Sequence, residues 1–222
     1  MLYLVVVLTG IFSLQYVPSK LIVWDDATQS FNNIVRSITL FRFGIVSGLV
    51  CYTFFLLLPW TLYILLKQVN KFQAMLMAIL ASVSVPIAFT TIQHKYSVLS
   101  LISEESYLSV FSTDQLQAMV MFELNQYDNG MLISKIFWGL WLLPFGYLVF
   151  KSGFLPKILG VLLMIGCFGY LINFLGYTLI SDYSKLGIAS IVQLPASLGE
   201  VGICLWLLIF GAKNNSSSTL SK

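Results

Sequence analysis

Residues 41–66 read FRFGIVSGLVCYTFFLLLPWTLYILL, and Arg42 is the only charged side chain in this run. A helix of about 20 predominantly apolar residues is long enough to span the hydrocarbon core of a bilayer. The run exceeds that length, so it predicts a transmembrane helix. Other apolar runs of similar length lie on both sides of it.

The composition extends this interpretation to the whole chain. Of the 222 residues, 58% are hydrophobic and 9% are charged, whereas a soluble domain carries about 25% charged residues. This contrast excludes an ordinary water-soluble enzyme. We expect an all-α protein, a polytopic transmembrane helical bundle that forms a single domain over residues 1–211. The uninterrupted apolar runs predict six spans, near 1–17, 41–66, 72–92, 131–150, 158–180 and 188–211.

Basic residues are distributed unevenly between the two sides of the membrane. Segments 67–71 and 151–157 and the polar tail 212–222 together hold six Lys and no acid. The other three connections hold four Lys or Arg and eight of the nine acids. Cytoplasmic loops collect Lys and Arg, so we predict that both termini and the tail are cytoplasmic.

The first span, residues 1–17, is at the short limit for a membrane helix. A cleaved signal peptide is the alternative interpretation. The segment has no basic residues before its apolar run and no small-x-small cleavage site before Tyr16, which argues against that alternative. We interpret the segment as a true first helix and expect a few cytoplasmic residues to precede Met1 in the complete protein.

The long connection before the fourth span contains a helix signal of its own. Ser112 and Gln115 have the spacing of a capping box, and apolar residues then recur at near-helical intervals. We predict an amphipathic helix over 113–128 on the outer membrane surface, which continues through 129–130 into the fourth span.

Glu200 is the polar residue with the highest free-energy cost of membrane insertion in this sequence, because it lies near the middle of the sixth span. An ionised carboxylate there costs several kcal/mol, on the order of 3, and usually faces a partner or a wet cavity. Arg42 and Lys135 are the candidate ionic partners, and Asn173 could join them through its amide. These four residues form the predicted ligand-binding set.

Two further interpretations of Glu200 stay open. A protonated Glu200 would need only one hydrogen bond, which is the cheaper way to bury a carboxyl group. A polar contact that only holds helices together would also account for the residue, without any ligand.

The remaining polar residues do not indicate a catalytic or metal site. His94 is the only histidine and has no second ligand near it in the sequence, so snorkelling at the interface explains it. Glu123 and Asp128 are five residues apart and are interpreted as a solvated helix face. The three cysteines lie in apolar runs and are interpreted as small buried hydrophobic residues.

Catalytic and cofactor motifs are missing from the sequence. It has no nucleophile elbow, no His-Glu-x-x-His, no phosphate loop and no dinucleotide fingerprint. We therefore predict no catalytic residues, no metal and no cofactor. The net charge of +3 is small and dispersed, which excludes a nucleic-acid surface.

Several stretches together resemble a known family. Residues 137–149 read FWGLWLLPFGYLV and residues 152–160 read SGFLPKILG, and the Ser-Gly-Phe-Leu-Pro loop is the most specific part. The order and spacing of further stretches also agree, namely residues 2–4, 10–12, 16–23, 41–45, 169–171, 199–200 and 205–208. The chain is similar over nearly its whole length to the bacterial membrane family known as domain of unknown function 4386. This resemblance implies a bacterial inner-membrane protein of about six helices and no assigned activity.

Three functions are compatible with the sequence. The protein could bind or pass a small solute through a polar pocket around Glu200, which would require a wet cavity that reaches this residue. It could be a structural or accessory membrane protein without a ligand, which would require a closed bundle with every buried polar group paired. It could be an intramembrane enzyme acting on lipid, with Glu200 or Glu123 as acid or base and His94 near the headgroups. The missing motifs favour a non-enzymatic protein. The lipid bilayer is the only partner that the sequence identifies.

Overall fold

The computed structural model describes residues 1–103 and 105–211, and it contains only helices and turns over those residues. Eight helices follow one another along the described residues: α1 (Leu2–Leu21), α2 (Ala27–Arg36), α3 (Ile38–Leu66), α4 (Lys71–Leu101), α5 (Thr113–Leu140), α6 (Leu142–Lys151), α7 (Lys157–Leu179) and α8 (Ile188–Ile209). Short 3₁₀ turns at Ser106–Val110 and Tyr183–Leu186 join α4 to α5 and α7 to α8. The predicted polar tail lies outside the described residues.

The predicted six-span bundle is confirmed. Six helical segments of the described chain are long and apolar enough to cross a membrane, with α5 and α6 together forming the fourth. Helices satisfy all their backbone hydrogen bonds internally, which is why long apolar runs in a bilayer fold this way. The predicted boundaries differ mainly at α4, which continues nine residues past position 92 to Leu101.

Prolines shape three of the spans without ending them. Pro59, Pro86 and Pro195 lie inside α3, α4 and α8, where each removes one backbone hydrogen bond. The fourth span behaves differently, since its helix breaks at Trp141, three residues before Pro144. A π-helical turn at Phe12–Tyr16 interrupts α1 in the same way, just before Pro18.

The segment predicted as an amphipathic helix forms the first half of α5. The predicted capping box is present, with the Ser112 hydroxyl and the Gln115 side chain each accepting a backbone N–H of the other residue. The helix then continues from Thr113 through positions 129–130 without a break. Its buried residues, among them Val120 and Leu124, lie in the core of the bundle, where α5 packs closely against α4. The unpredicted extension of α4 supplies this protein surface, so the apolar face packs on a helix where a lipid surface was expected.

Small residues bring α7 and α8 into close contact. Gly166 lies against Ala196, and Gly169 lies against the backbone of Val192. A Cβ atom at either position would overlap the opposing helix. This is the packing that small residues permit between membrane helices, where close van der Waals contact replaces the hydrophobic effect.

We expect Gly169→Ala to destabilise the bundle by about 1–3 kcal/mol. The new methyl group would overlap the carbonyl oxygen of Val192, and backbone cannot move aside as the end of a flexible side chain can. Thermal unfolding of the purified protein in detergent measures the effect.

Gly10→Ala is the matched control, since its Cβ would meet the Cys51 Sγ at an ordinary 3.4 Å. This variant should be neutral or more stable by up to about 1 kcal/mol, because Ala is the better helix former. Equal unfolding temperatures for the two variants would contradict the packing argument.

A candidate ligand-binding cavity around Glu200

A cavity of about 690 Å³ lies between α1, α3, α5, α7 and α8. Its wall is largely aromatic and aliphatic, with polar groups concentrated on α7 and α8. Glu200, Lys135 and Asn173, three of the four predicted ligand-binding residues, line this one cavity. Exposed residues of α1 and α8, including Gln15 and Ser190, line it as well, so the cavity reaches the surface along the seam between these helices.

Glu200 lies with two tyrosines at one end of the cavity. The Tyr170 hydroxyl donates a long hydrogen bond of 3.4 Å to Oε2 of Glu200. Tyr3 of α1 also lines the cavity and is 7% exposed, and its buried hydroxyl has no hydrogen-bond partner among the described residues. A buried hydroxyl without a partner costs about 1–3 kcal/mol, which makes this end of the cavity incompletely satisfied by the chain itself.

Lys135 lies at the other end of the cavity. Its Nζ is 5.9 Å from the centroid of the Tyr177 ring, within the range of a cation–π contact. Tyr177 is seven residues beyond Tyr170 on α7, which corresponds to about 10 Å along the helix axis. Among the described residues, no ion pair within 4.0 Å includes either Lys135 or Glu200.

Asn173 lies between these ends in a nearly complete hydrogen-bond network. Its amide nitrogen donates to the Ala189 carbonyl at 3.0 Å and to Oε1 of Gln193 at 3.2 Å, while its oxygen accepts from the Tyr183 hydroxyl at 2.9 Å. The residue is 6% exposed. Asn173 therefore ties α7 to α8 and to the turn between them, and it supports the polar wall of the cavity.

Arg42 is not brought together with the other three residues. It is exposed and does not line the cavity. The α3 residues that do line it are Cys51, Tyr52 and Phe55. Arg42 precedes Cys51 by nine positions, which at 3.6 residues per turn places it on the opposite face of α3.

Sequence reasoning missed the polar stripe on α8. Ser190, Gln193, Ser197 and Glu200 all line the cavity, and their spacings of three, four and three positions place them on one helix face. Residues Tyr170, Asn173 and Tyr177 repeat the same spacing on α7. Polar side chains at helical intervals inside apolar spans were the available signal, and they indicate a shared polar face between the two helices.

A second polar cluster lies outside the cavity, between α4 and α5. His94 Nδ1 and Glu123 Oε2 are 2.7 Å apart, so these two side chains pair across the helices. Lys95, which is 4% exposed, has its Nζ 4.0 Å from the centroid of the Tyr127 ring. In the part of the chain that is described, no three His, Cys, Asp or Glu side chains are grouped as a metal site.

Comparison with known proteins identifies relatives without an assigned activity. A family model described as "Domain of unknown function (DUF4386)" matches residues 1–211. A protein of Archaeoglobus fulgidus, described as uncharacterised, is 30% identical over 156 residues, which cover 68% of this chain and 74% of that protein. No match to a solved structure was found.

We expect Tyr183→Phe to destabilise the protein by about 1 kcal/mol, because it leaves the buried Asn173 oxygen without its donor. Tyr177→Phe is the matched control, since Tyr177 is 44% exposed and lies beside Tyr183 with ring centroids 5.0 Å apart. Thermal unfolding in detergent compares the two. If Tyr177→Phe were as destabilising as Tyr183→Phe, the Asn173 network would not be what joins the helices.

Proposed function

Because the chain belongs to the family described as domain of unknown function DUF4386, whose description states no activity, we propose its function from the cavity. The protein binds a small solute between its membrane spans, or passes it, with Glu200, Lys135 and Asn173 around the bound molecule. It does so as a multi-pass membrane protein in the lipid bilayer.

The cavity that reaches Glu200 is the observation that carries this proposal. Its volume of about 690 Å³ lies within the range of about 300–1,000 Å³ typical of small-molecule sites, which are mostly apolar with a few placed polar groups. An ionisable residue inside a membrane span is expensive and is a functional-site hypothesis by default. Glu200 lies on the wall of a cavity, which supports a functional reason for a carboxyl group inside a membrane span.

The accessory alternative requires a closed bundle with every buried polar group paired. Among the described residues, the side-chain polar atoms Tyr3 Oη, Ser13 Oγ and Trp141 Nε1 are buried without a hydrogen-bond partner. The cavity and these atoms favour the solute-binding function over that alternative.

The enzyme alternative is supported by one contact. His94 and Glu123 pair at 2.7 Å, but they lie outside the cavity, whose lining includes neither of them. Acid–base chemistry requires a substrate position within hydrogen-bond reach of the catalytic groups. The pair therefore supports a contact between α4 and α5 better than it supports a reaction.

Labelling of engineered cysteines tests the proposal. In a background with Cys51, Cys167 and Cys204 replaced by Ala, Ser197→Cys places a thiol on the cavity wall. Leu198→Cys is the matched control, since Leu198 is 60% exposed and does not line the cavity. The probes are two membrane-impermeant methanethiosulfonate reagents, one cationic (trimethylammonium-ethyl) and one anionic (sulfonato-ethyl).

We expect at least one reagent to modify Ser197→Cys about tenfold faster than Leu198→Cys in the bilayer, because only the cavity admits a charged solute to this depth. Filling the cavity by Gly10→Leu should slow the modification, since Gly10 lines the same space. If neither reagent distinguished the two positions, the cavity would not be open to solutes and the proposed function would be wrong.

The proposed orientation places both termini in the cytoplasm of a bacterial inner membrane. An even number of spans returns the chain to the side on which it began, and the six described spans agree with the lysine distribution over the short connections. Lys135 and the start of α8 then lie toward the outside, and Glu200 lies deeper.

We expect a green fluorescent protein fused after Lys222 to fluoresce and an alkaline phosphatase fused there to be inactive, because the first folds in the cytoplasm and the second only outside it. The same two fusions within residues 181–187 should give the opposite pair of results. Active phosphatase at the C-terminus would contradict the proposed orientation.

A further inference from the structure

The cavity lining includes one carboxyl side chain, Glu200, and one amine side chain, Lys135, and the two lie apart. Glu200 contacts Tyr170, and Lys135 lies over Tyr177. Tyr177 is seven positions beyond Tyr170, which separates the two levels by about 10 Å along α7. Among the described residues, the Glu200 and Lys135 side chains do not form an ion pair within 4.0 Å.

Neither charge is matched by a charged group of the described chain. The only ion pairs within 4.0 Å among the described residues are His94–Glu123 and Lys185–Asp182, and both lie outside the cavity. Glu200 has a single long hydrogen bond from Tyr170, and Lys135 has only the face of an aromatic ring. Charges held inside a membrane span are normally paired with each other, with backbone carbonyls or with water.

The side of the cavity formed by α3 and α5 is apolar and aromatic between the two charges, opposite the polar residues of α7 and α8. Tyr52 and Trp138 line it with their rings stacked at 6.3 Å, and Phe55 lies one helical turn beyond Tyr52. The Trp138 indole nitrogen donates to the Ser84 hydroxyl at 3.1 Å, which fixes the ring and satisfies its polar atom. This side offers apolar contact to the middle of a ligand, and on the opposite side the Asn173 and Gln193 amides bond to each other.

We propose that the ligand is a zwitterion, with an ammonium group at Glu200 and a carboxylate or another anionic group at Lys135, joined by an apolar spacer of about 10 Å. This inference rests on the proposed function and deepens it. Both side chains are partly exposed on the cavity wall, and such a ligand supplies each of them with a counter-ion while its spacer contacts the aromatic residues.

Three probes of one chain length test the ligand class: 8-aminooctanoate carries both charges, octylamine only the cation and octanoate only the anion. The extended chain of 8-aminooctanoate is about as long as the rise of about 10 Å along α7 from Tyr170 to Tyr177. Binding is measured by ligand-observed NMR titration of the full chain in phosphatidylglycerol nanodiscs, with empty discs subtracted. This lipid carries no amine that could compete for Glu200.

The proposal predicts a crossed pattern over three variants. Wild-type protein should bind 8-aminooctanoate about tenfold tighter than either single-charge probe, since each charge-assisted contact contributes at least 1.4 kcal/mol, or a factor of about ten. Glu200→Gln should weaken 8-aminooctanoate and octylamine about tenfold and leave octanoate unchanged. Lys135→Met should weaken 8-aminooctanoate and octanoate and leave octylamine unchanged. Arg42→Gln, which removes a cation that does not line the cavity, should change none of the three.

The crossed pattern also shows that each variant is folded, because each one keeps its affinity for one probe. Octylamine binding as tightly as 8-aminooctanoate, with no effect of Lys135→Met, would overturn the zwitterion in favour of a simple cation. If all three probes bound every variant equally, both charged contacts would be wrong, while fast labelling of Ser197→Cys would still support a solute cavity. Phosphatidylethanolamine discs extend the test: unchanged 8-aminooctanoate binding there would support a long free solute. Loss of binding would overturn the spacer of about 10 Å, because the headgroup joins its ammonium and phosphate through only two carbons.

Discussion

Hydrocarbon offers no hydrogen-bond partner to a peptide group, and the rest of this structure depends on that constraint. Each apolar run must satisfy its own backbone, so it becomes a helix. The constraint holds even where the sequence opposes it, since α3, α4 and α8 each continue through an internal proline. Where a helix does break, at Trp141, the break lies among buried residues of the bundle.

The same constraint means that polar side chains inside the spans need hydrogen-bond partners. In water, a stripe of serine, glutamine and glutamate on a helix would face solvent and need no explanation. Inside a membrane span, the stripe on α8 needs partners. Part of it finds them on α7, where Asn173 joins Gln193 and the turn before α8. Glu200 finds only the Tyr170 hydroxyl, at 3.4 Å. The hydrogen bonds of Asn173 are nearly complete, so we interpret it as structural support. Those of Glu200 are incomplete, so we interpret it as part of a candidate site.

Close packing and the cavity are two results of how the helices meet. Gly166 and Gly169 let α7 and α8 approach until their backbones touch, which leaves no space between those faces. On the adjacent faces a space remains, and the aromatic residues Tyr52, Trp138 and Tyr170 line it. The cavity is bounded by α1 on its remaining side, where exposed lining residues of α1 and α8 mark a seam. A ligand could enter there without separating the tightly packed pair.

The helical class, the six spans and the capping box at Ser112 could all be predicted from the sequence, because these depend on composition and on contacts between near neighbours in the chain. It also identified Glu200 and Asn173 as costly or polar positions, since that cost depends only on depth in an apolar run. Which side chains meet was decided by the tertiary structure. Arg42 lies on the far face of α3, Tyr170 donates a hydrogen bond to Glu200, and His94 pairs with Glu123 across two helices. The rotation of each helix about its own axis is set by packing against all its neighbours at once, and no single run of sequence contains that information.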